Sequence, residues 1–189
     1  MELYLHVRGV LSILVGLSLA RLLSGAAQLA QPERKRVYWV HLAWMLFMFF
    51  YVIAFWWWEF ELRTVSQWTF PVYVTLIMYG VLVYFLCALL SPESLKDYEG
   101  FKHYFYSRRK WFFGAMAVMF LVDIYDSYVK GLEHVLWLGN LYKWRIGLFF
   151  VWSLAAIKIR NERFHAVFVV VAVLSEIAWY LRQYFTFIT

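Results

Sequence analysis

Apolar residues run along this chain in six long stretches separated by short polar breaks. The stretches cover about 5–30, 37–60, 69–91, 110–129, 134–158 and 164–187, and a helix of about 20 such residues crosses the roughly 30 Å hydrocarbon layer of a bilayer. A helix satisfies its own backbone N–H and C=O groups, which a lipid interior demands. The pattern therefore predicts an all-α fold, a polytopic transmembrane bundle of about six helices that forms a single domain over residues 1–189. The fifth stretch is the most interrupted: it carries Lys143 and Arg145, and Gly139-Asn140 could break it. A start near His134 gives it spanning length. Between the third and fourth stretches, Ser91-Pro-Glu-Ser-Leu-Lys-Asp97 suggests a helix stop and a new start, with Ser94 and Asp97 spaced as a capping box. The mixture of aromatics and charge from Tyr98 to Tyr106 then predicts an interfacial segment at about 93–107.

Composition sharpens this picture. The chain is 64% hydrophobic and 16% charged, against roughly 25% charged in soluble proteins, and its mean hydropathy is +0.62. Six spans in 189 residues leave no room for a soluble catalytic or sensory domain. The net charge of +6 invites a nucleic-acid partner, but the basic residues sit beside the apolar stretches, where they set orientation. Eleven of them fall in alternate loops: Arg34, Lys35 and Arg36, then Lys96, Lys102, Arg108, Arg109 and Lys110, then Lys158, Arg160 and Arg163. The bias predicts these loops in the cytoplasm and both termini extracytoplasmic. The compact chain with short loops points to a multi-pass protein of a bacterial inner membrane, with the lipid bilayer as its main partner and no nucleic acid. The N-terminal residues lack a basic leader with a cleavage site, so the first stretch is expected to stay in the mature protein. Cys87, the single cysteine, sits among Leu86, Ala88 and Leu89 and suits packing.

Four ionisable residues lie within the spans. Arg21, Asp123, Arg145 and Glu176 each stand 13 residues from a basic residue at the cytoplasmic boundary, namely Arg34, Lys110, Lys158 and Arg163. At 1.5 Å per residue this predicts one charged layer roughly 20 Å above the anchors. Two positive and two negative groups at one depth should face inward and pair, since each alone in lipid costs about 2.5–3.5 kcal/mol or more. Helical spacing gives Asp123 the company of Asp126, Ser127 and Lys130, and gives Glu176 that of Trp179, Tyr180 and Gln183. Glu59, Glu61 and Asp126 could form an acidic outer mouth. In the first helix Ser12, Gly16, Ala20 and Ser24 recur every four residues, a spacing that lets another helix approach closely, from the same chain or a neighbour.

No metal-ligand spacing, Walker loop, nucleophile elbow or dinucleotide fingerprint occurs, and no cofactor is implied. His41 and His165, both just inside the cytoplasmic boundary, could ligate a haem between the second and sixth helices, and the dense aromatics could hold a quinone. The principal expectation is a small transport protein, an ion or proton channel or an ion-coupled carrier, acting as a homo-oligomer or with a membrane-protein partner. The alternative is a non-catalytic scaffold or accessory subunit in which the charges only fix helix registry. Haem or quinone binding is a weaker third reading.

Overall fold

The computed structural model describes residues 2–28, 36–65 and 67–187. Arg34 and Lys35, two of the expected orienting charges, lie outside the described residues. Six α-helices account for most of the described residues: α1 (Glu2–Ala27), α2 (Trp39–Trp58), α3 (Phe70–Leu90), α4 (Phe101–Val129), α5 (Leu132–Lys158) and α6 (Glu162–Phe187). α2 runs on into a tight 3₁₀ turn over Glu59–Thr64. Five helices, all but α5, are long and apolar enough to cross a membrane. In α5 the polar residues Asn140, Lys143 and Arg145 dilute the apolar content of the middle.

Local chemistry sets the boundaries. Pro71 stands in the first turn of α3, where a missing N–H costs nothing. Asn161 caps α6, its Oδ1 accepting from the backbone N–H of Arg163 at 2.8 Å. Gly131, at φ 118°, turns the chain between α4 and α5. The segment expected to lie at the interface is different in the structure. Ser94 accepts only from the N–H of Lys96, in a turn, and no helix starts there. α4 begins at Phe101, nine residues before the expected 110. Phe101, Tyr104, Phe105, Phe112 and Phe113 are all buried, so one apolar stripe at helical spacing continues straight through Arg108-Arg109-Lys110. Arg109 follows that stripe inward and donates from Nε to the carbonyl of Ala156 at 3.2 Å and from Nη2 to that of Ile157 at 3.0 Å. Those acceptors belong to the last turn of α5, whose carbonyls lack partners within the helix.

Neighbouring contacts give the helix directions. α1 and α3 are parallel: His6 stacks on Tyr73 near their starts, and Gly25 meets Ser91 near their ends. α4 runs against both neighbours, meeting α3 through Asp123–Tyr79 and Tyr104–Leu89, and α5 through Asp123–Tyr142 and Arg109–Ala156. α2 and α6 are parallel, with Trp44 against Phe168 at 5.0 Å and, further along both helices, Tyr51 and Glu176 on the same cavity. The start of α1 and the end of α6 therefore share one end of the bundle, hereafter the terminal end.

The two halves of the bundle differ in character. Toward the end away from the termini, Trp44 is wholly buried and packs edge-on against Phe47, Phe112, Phe113 and Phe168 at 5.0–5.5 Å. Such pairs contribute about 0.5–1.5 kcal/mol each beyond their burial. The half toward the terminal end is polar at its centre.

Candidate functional site, a carboxylate-rich cavity

Helical periodicity delivers the polar groups to one place. Asp126 and Ser127 stand three and four residues after Asp123, and Lys130 stands four and three after them, so all four share the inward face at the end of α4. Tyr142 and Arg145 do the same on α5, and Glu176, Trp179 and Tyr180 on α6. With Tyr51 of α2, Glu59 of the 3₁₀ turn and Tyr79 of α3 they surround a cavity with about 60 Å³ of room for water, enough for a few molecules. Trp58, Glu59, Lys130 and His134 carry its lining to the terminal end.

Asp123 is the centre of a hydrogen-bonded chain that links four helices. Its Oδ1 accepts from the Tyr79 hydroxyl at 2.7 Å and its Oδ2 from the Tyr142 hydroxyl at 2.7 Å. Each phenol has a single proton. Tyr51, 2.8 Å from the Tyr79 oxygen, must therefore donate to it, and Ser127, 2.9 Å from the Tyr142 oxygen, must donate there. Every donor in the chain points toward the carboxylate, an arrangement in which each bond polarises the next.

Three ion pairs, made by two cations, flank this chain. Lys130 Nζ donates to Glu59 Oε1 at 2.9 Å and to Asp126 Oδ2 at 2.5 Å, and the three side chains are 2–5% exposed. Burial works against the Lys130 ammonium, but Asp126 and Glu59 more than offset it and raise its pKa above the ordinary lysine value. Arg145 Nη1 donates to Glu176 Oε1, and its guanidinium lies 4.9 Å from the centre of the Trp179 ring. Four carboxylates thus face two cations, an excess of two negative charges when all are ionised. Glu59 Oε2 and Asp126 Oδ1 are buried with no hydrogen-bond partner among the described residues.

α5 is broken beside this site. Gly139 has φ 72° and ψ −173°, outside the helical region, three residues before Tyr142. Broken helices at ligand sites free backbone groups and are frequent in carriers.

The structure brings together Asp123, Arg145 and Glu176 of the expected charged layer, and adds Glu59 and Asp126 of the expected mouth. Glu61 is in the same 3₁₀ turn but does not line the cavity. Arg21 belongs elsewhere. α1 ends at Ala27, so Arg21 lies in its last two turns at the opposite end of the bundle and pairs with the exposed Glu93 at 3.1 Å. The small-residue face is not used for packing within the described chain. Ser12, Gly16, Ala20 and Ser24 are all exposed, and α1 packs instead through Val7, Leu11, Ser18, Leu22 and Gly25. His41 and His165 do not flank a space for haem: the ring of Phe105 packs edge-on against both, at 6.2 and 5.6 Å, and His165 Nε2 bonds the carbonyl of Ile159. Among the described residues no three His, Cys, Asp or Glu side chains are grouped to hold a metal.

The tyrosines escape sequence reasoning, because Tyr51, Tyr79 and Tyr142 are three of 14 in the chain. Tyr142 alone gives a signal, one turn before Arg145 on the same face. No family model, curated protein or solved structure matches this chain.

Proposed function

We propose that the protein is an integral membrane carrier that moves a small cation in exchange or symport with protons, with Asp123 as the proton-accepting carboxylate. The single observation that carries this reading is the charge imbalance of a buried cavity, four carboxylates against Lys130 and Arg145. Buried excess charge is compensated by protons or by a bound cation, and exchange between the two is the chemistry of coupling. Asp123 suits the proton role because its bonding partners are neutral phenols, and because it is only partly buried. The break at Gly139 and the aromatic packing of the other half favour a carrier over an open pore. The charge bias of the loops supports an orientation in a bacterial inner membrane with that half toward the cytoplasm and the cavity toward the outside.

The test is proton and cation flux in liposomes, comparing the native chain with Asp123→Asn and Glu176→Gln. Folded Asp123→Asn protein is expected to lose proton-coupled flux. Equal flux in native and Asp123→Asn liposomes, or silence of the native protein under every gradient, refutes the assignment.

A second reading, a scaffold or accessory subunit, has one observation in its favour. The outward stripe of Ser12, Gly16, Ala20 and Ser24 leaves a face of α1 on which a helix of another chain can pack closely.

A further inference from the structure

We infer that the cation taken by this cavity is organic, a small alkylammonium held by carboxylate oxygens and aromatic faces. The inference deepens the carrier reading and rests on it for transport, though binding can be measured separately.

Three features point to an ammonium. First, Glu59 Oε2 and Asp126 Oδ1 are acceptors on side chains 2% and 5% exposed, and neither has a hydrogen-bond partner among the described residues. In their ionised form these carboxylates only accept, so the complementary ligand is an N–H or O–H donor, and the negative excess of that form selects a cationic one. Second, an ammonium already sits in this environment. Lys130 Nζ lies between Glu59 and Asp126 at 2.9 and 2.5 Å, showing that the spacing of the two carboxylates suits a –NH₃⁺ group. The free oxygens of the same two carboxylates, with Asp123, offer the remaining acceptor sites.

Third, the walls are aromatic. Phe55, Tyr79, Tyr142 and Trp179 line the cavity, and Trp179 already carries a cation on its face, the Arg145 guanidinium at 4.9 Å from the ring centre. Ring faces attract weakly hydrated organic cations. A divalent metal instead asks for about six oxygen ligands in a shell, and the described residues provide no such group. The room of about 60 Å³ suits a head with one or two carbons.

The experiment titrates detergent-purified full-length protein with methylammonium and ethylammonium, read by quenching of tryptophan fluorescence and by binding of radiolabelled methylammonium. Saturable binding is expected, displaced by the second amine and not by equal concentrations of sodium or potassium. Asp123→Asn and Glu59→Gln should each weaken it about tenfold or more, the value of a charge-assisted hydrogen bond. Trp179→Phe should keep most of the affinity, and Trp179→Leu of unchanged melting temperature should lose it. Equal competition by sodium or potassium overturns the inference and leaves the carrier reading standing, with an inorganic ion as cargo. Absence of saturable amine binding by the folded native protein also overturns it. Amine binding without uptake into proteoliposomes supports the inference while removing the carrier reading.

Discussion

Lys130 offers the most direct test of the buried electrostatics. Its ammonium is the only cation bonded to Glu59 and Asp126 among the described residues, and all three side chains are at most 5% exposed. Methionine has nearly the same length and volume, so Lys130→Met removes the charge and leaves the packing. Four cavity carboxylates then face Arg145 alone. Removing one partner of a buried pair costs about 3–5 kcal/mol, because the remaining charge is stranded. For a chain of this size each kcal/mol lowers the melting temperature by about 2–4 °C, so the variant should melt roughly 6–20 °C lower. Thermal unfolding in detergent, followed by tryptophan fluorescence, measures this directly. Adding Glu59→Gln restores the original charge excess and should recover a substantial part of the loss. A Lys130→Met protein that melts within about 2 °C of the native chain would refute the reasoning, since the carboxylates would then not be ionised together.

The glycines of α1 give a paired test of which face is packed. A Cβ on Gly25 would stand 2.9 Å from Ser91 Cβ and 3.0 Å from its Cα, so Gly25→Ala should cost about 1–3 kcal/mol by overpacking, whereas Gly16→Ala meets nothing within 4 Å and should leave the melting temperature of the detergent-solubilised monomer unchanged or slightly raised. The reverse order would place the small-residue stripe inside the bundle. At Gly139 an added Cβ also meets nothing within 4 Å, so the cost of Gly139→Ala is backbone strain alone, about 1–3 kcal/mol for that φ/ψ region. Lower melting together with reduced flux is expected, and an unaltered melting curve would show that α5 does not depend on the break.

The helices were legible because apolar periodicity over 20 residues is a strong signal, and their ends were less so. Counting residues from the basic anchors placed Asp123, Arg145 and Glu176 near one another, since each lies within an uninterrupted helical run to its anchor. The same count misplaced Arg21, because it assumed a helix continuing to Arg34 and α1 stops at Ala27. Spacing identified the small-residue face of α1 but could not orient it. Residues four apart define a stripe, and only the shape of the neighbouring helices decides whether it turns inward. For α4 the basic triplet at Arg108 looked like a membrane boundary, yet Arg109 is buried against the end of α5. The tyrosine chain was invisible for a different reason. Tyr51, Tyr79 and Tyr142 come from three helices and acquire meaning only where their hydroxyls converge on Asp123 or on one another.

In the proposed carrier, the division into a polar half and an aromatic half has an electrical consequence. In an energised membrane, a water-reachable cavity stays close to the potential of the bath it opens to, and the voltage falls mainly across the dry remainder. Each elementary charge moved through that remainder exchanges about 2.3 kcal/mol per 100 mV with the field. Filling and emptying the Asp123 chamber would then be nearly voltage-independent. The packing around Trp44, Phe113 and Phe168 would act as the insulator, and any current would arise in the step that carries charge past those rings.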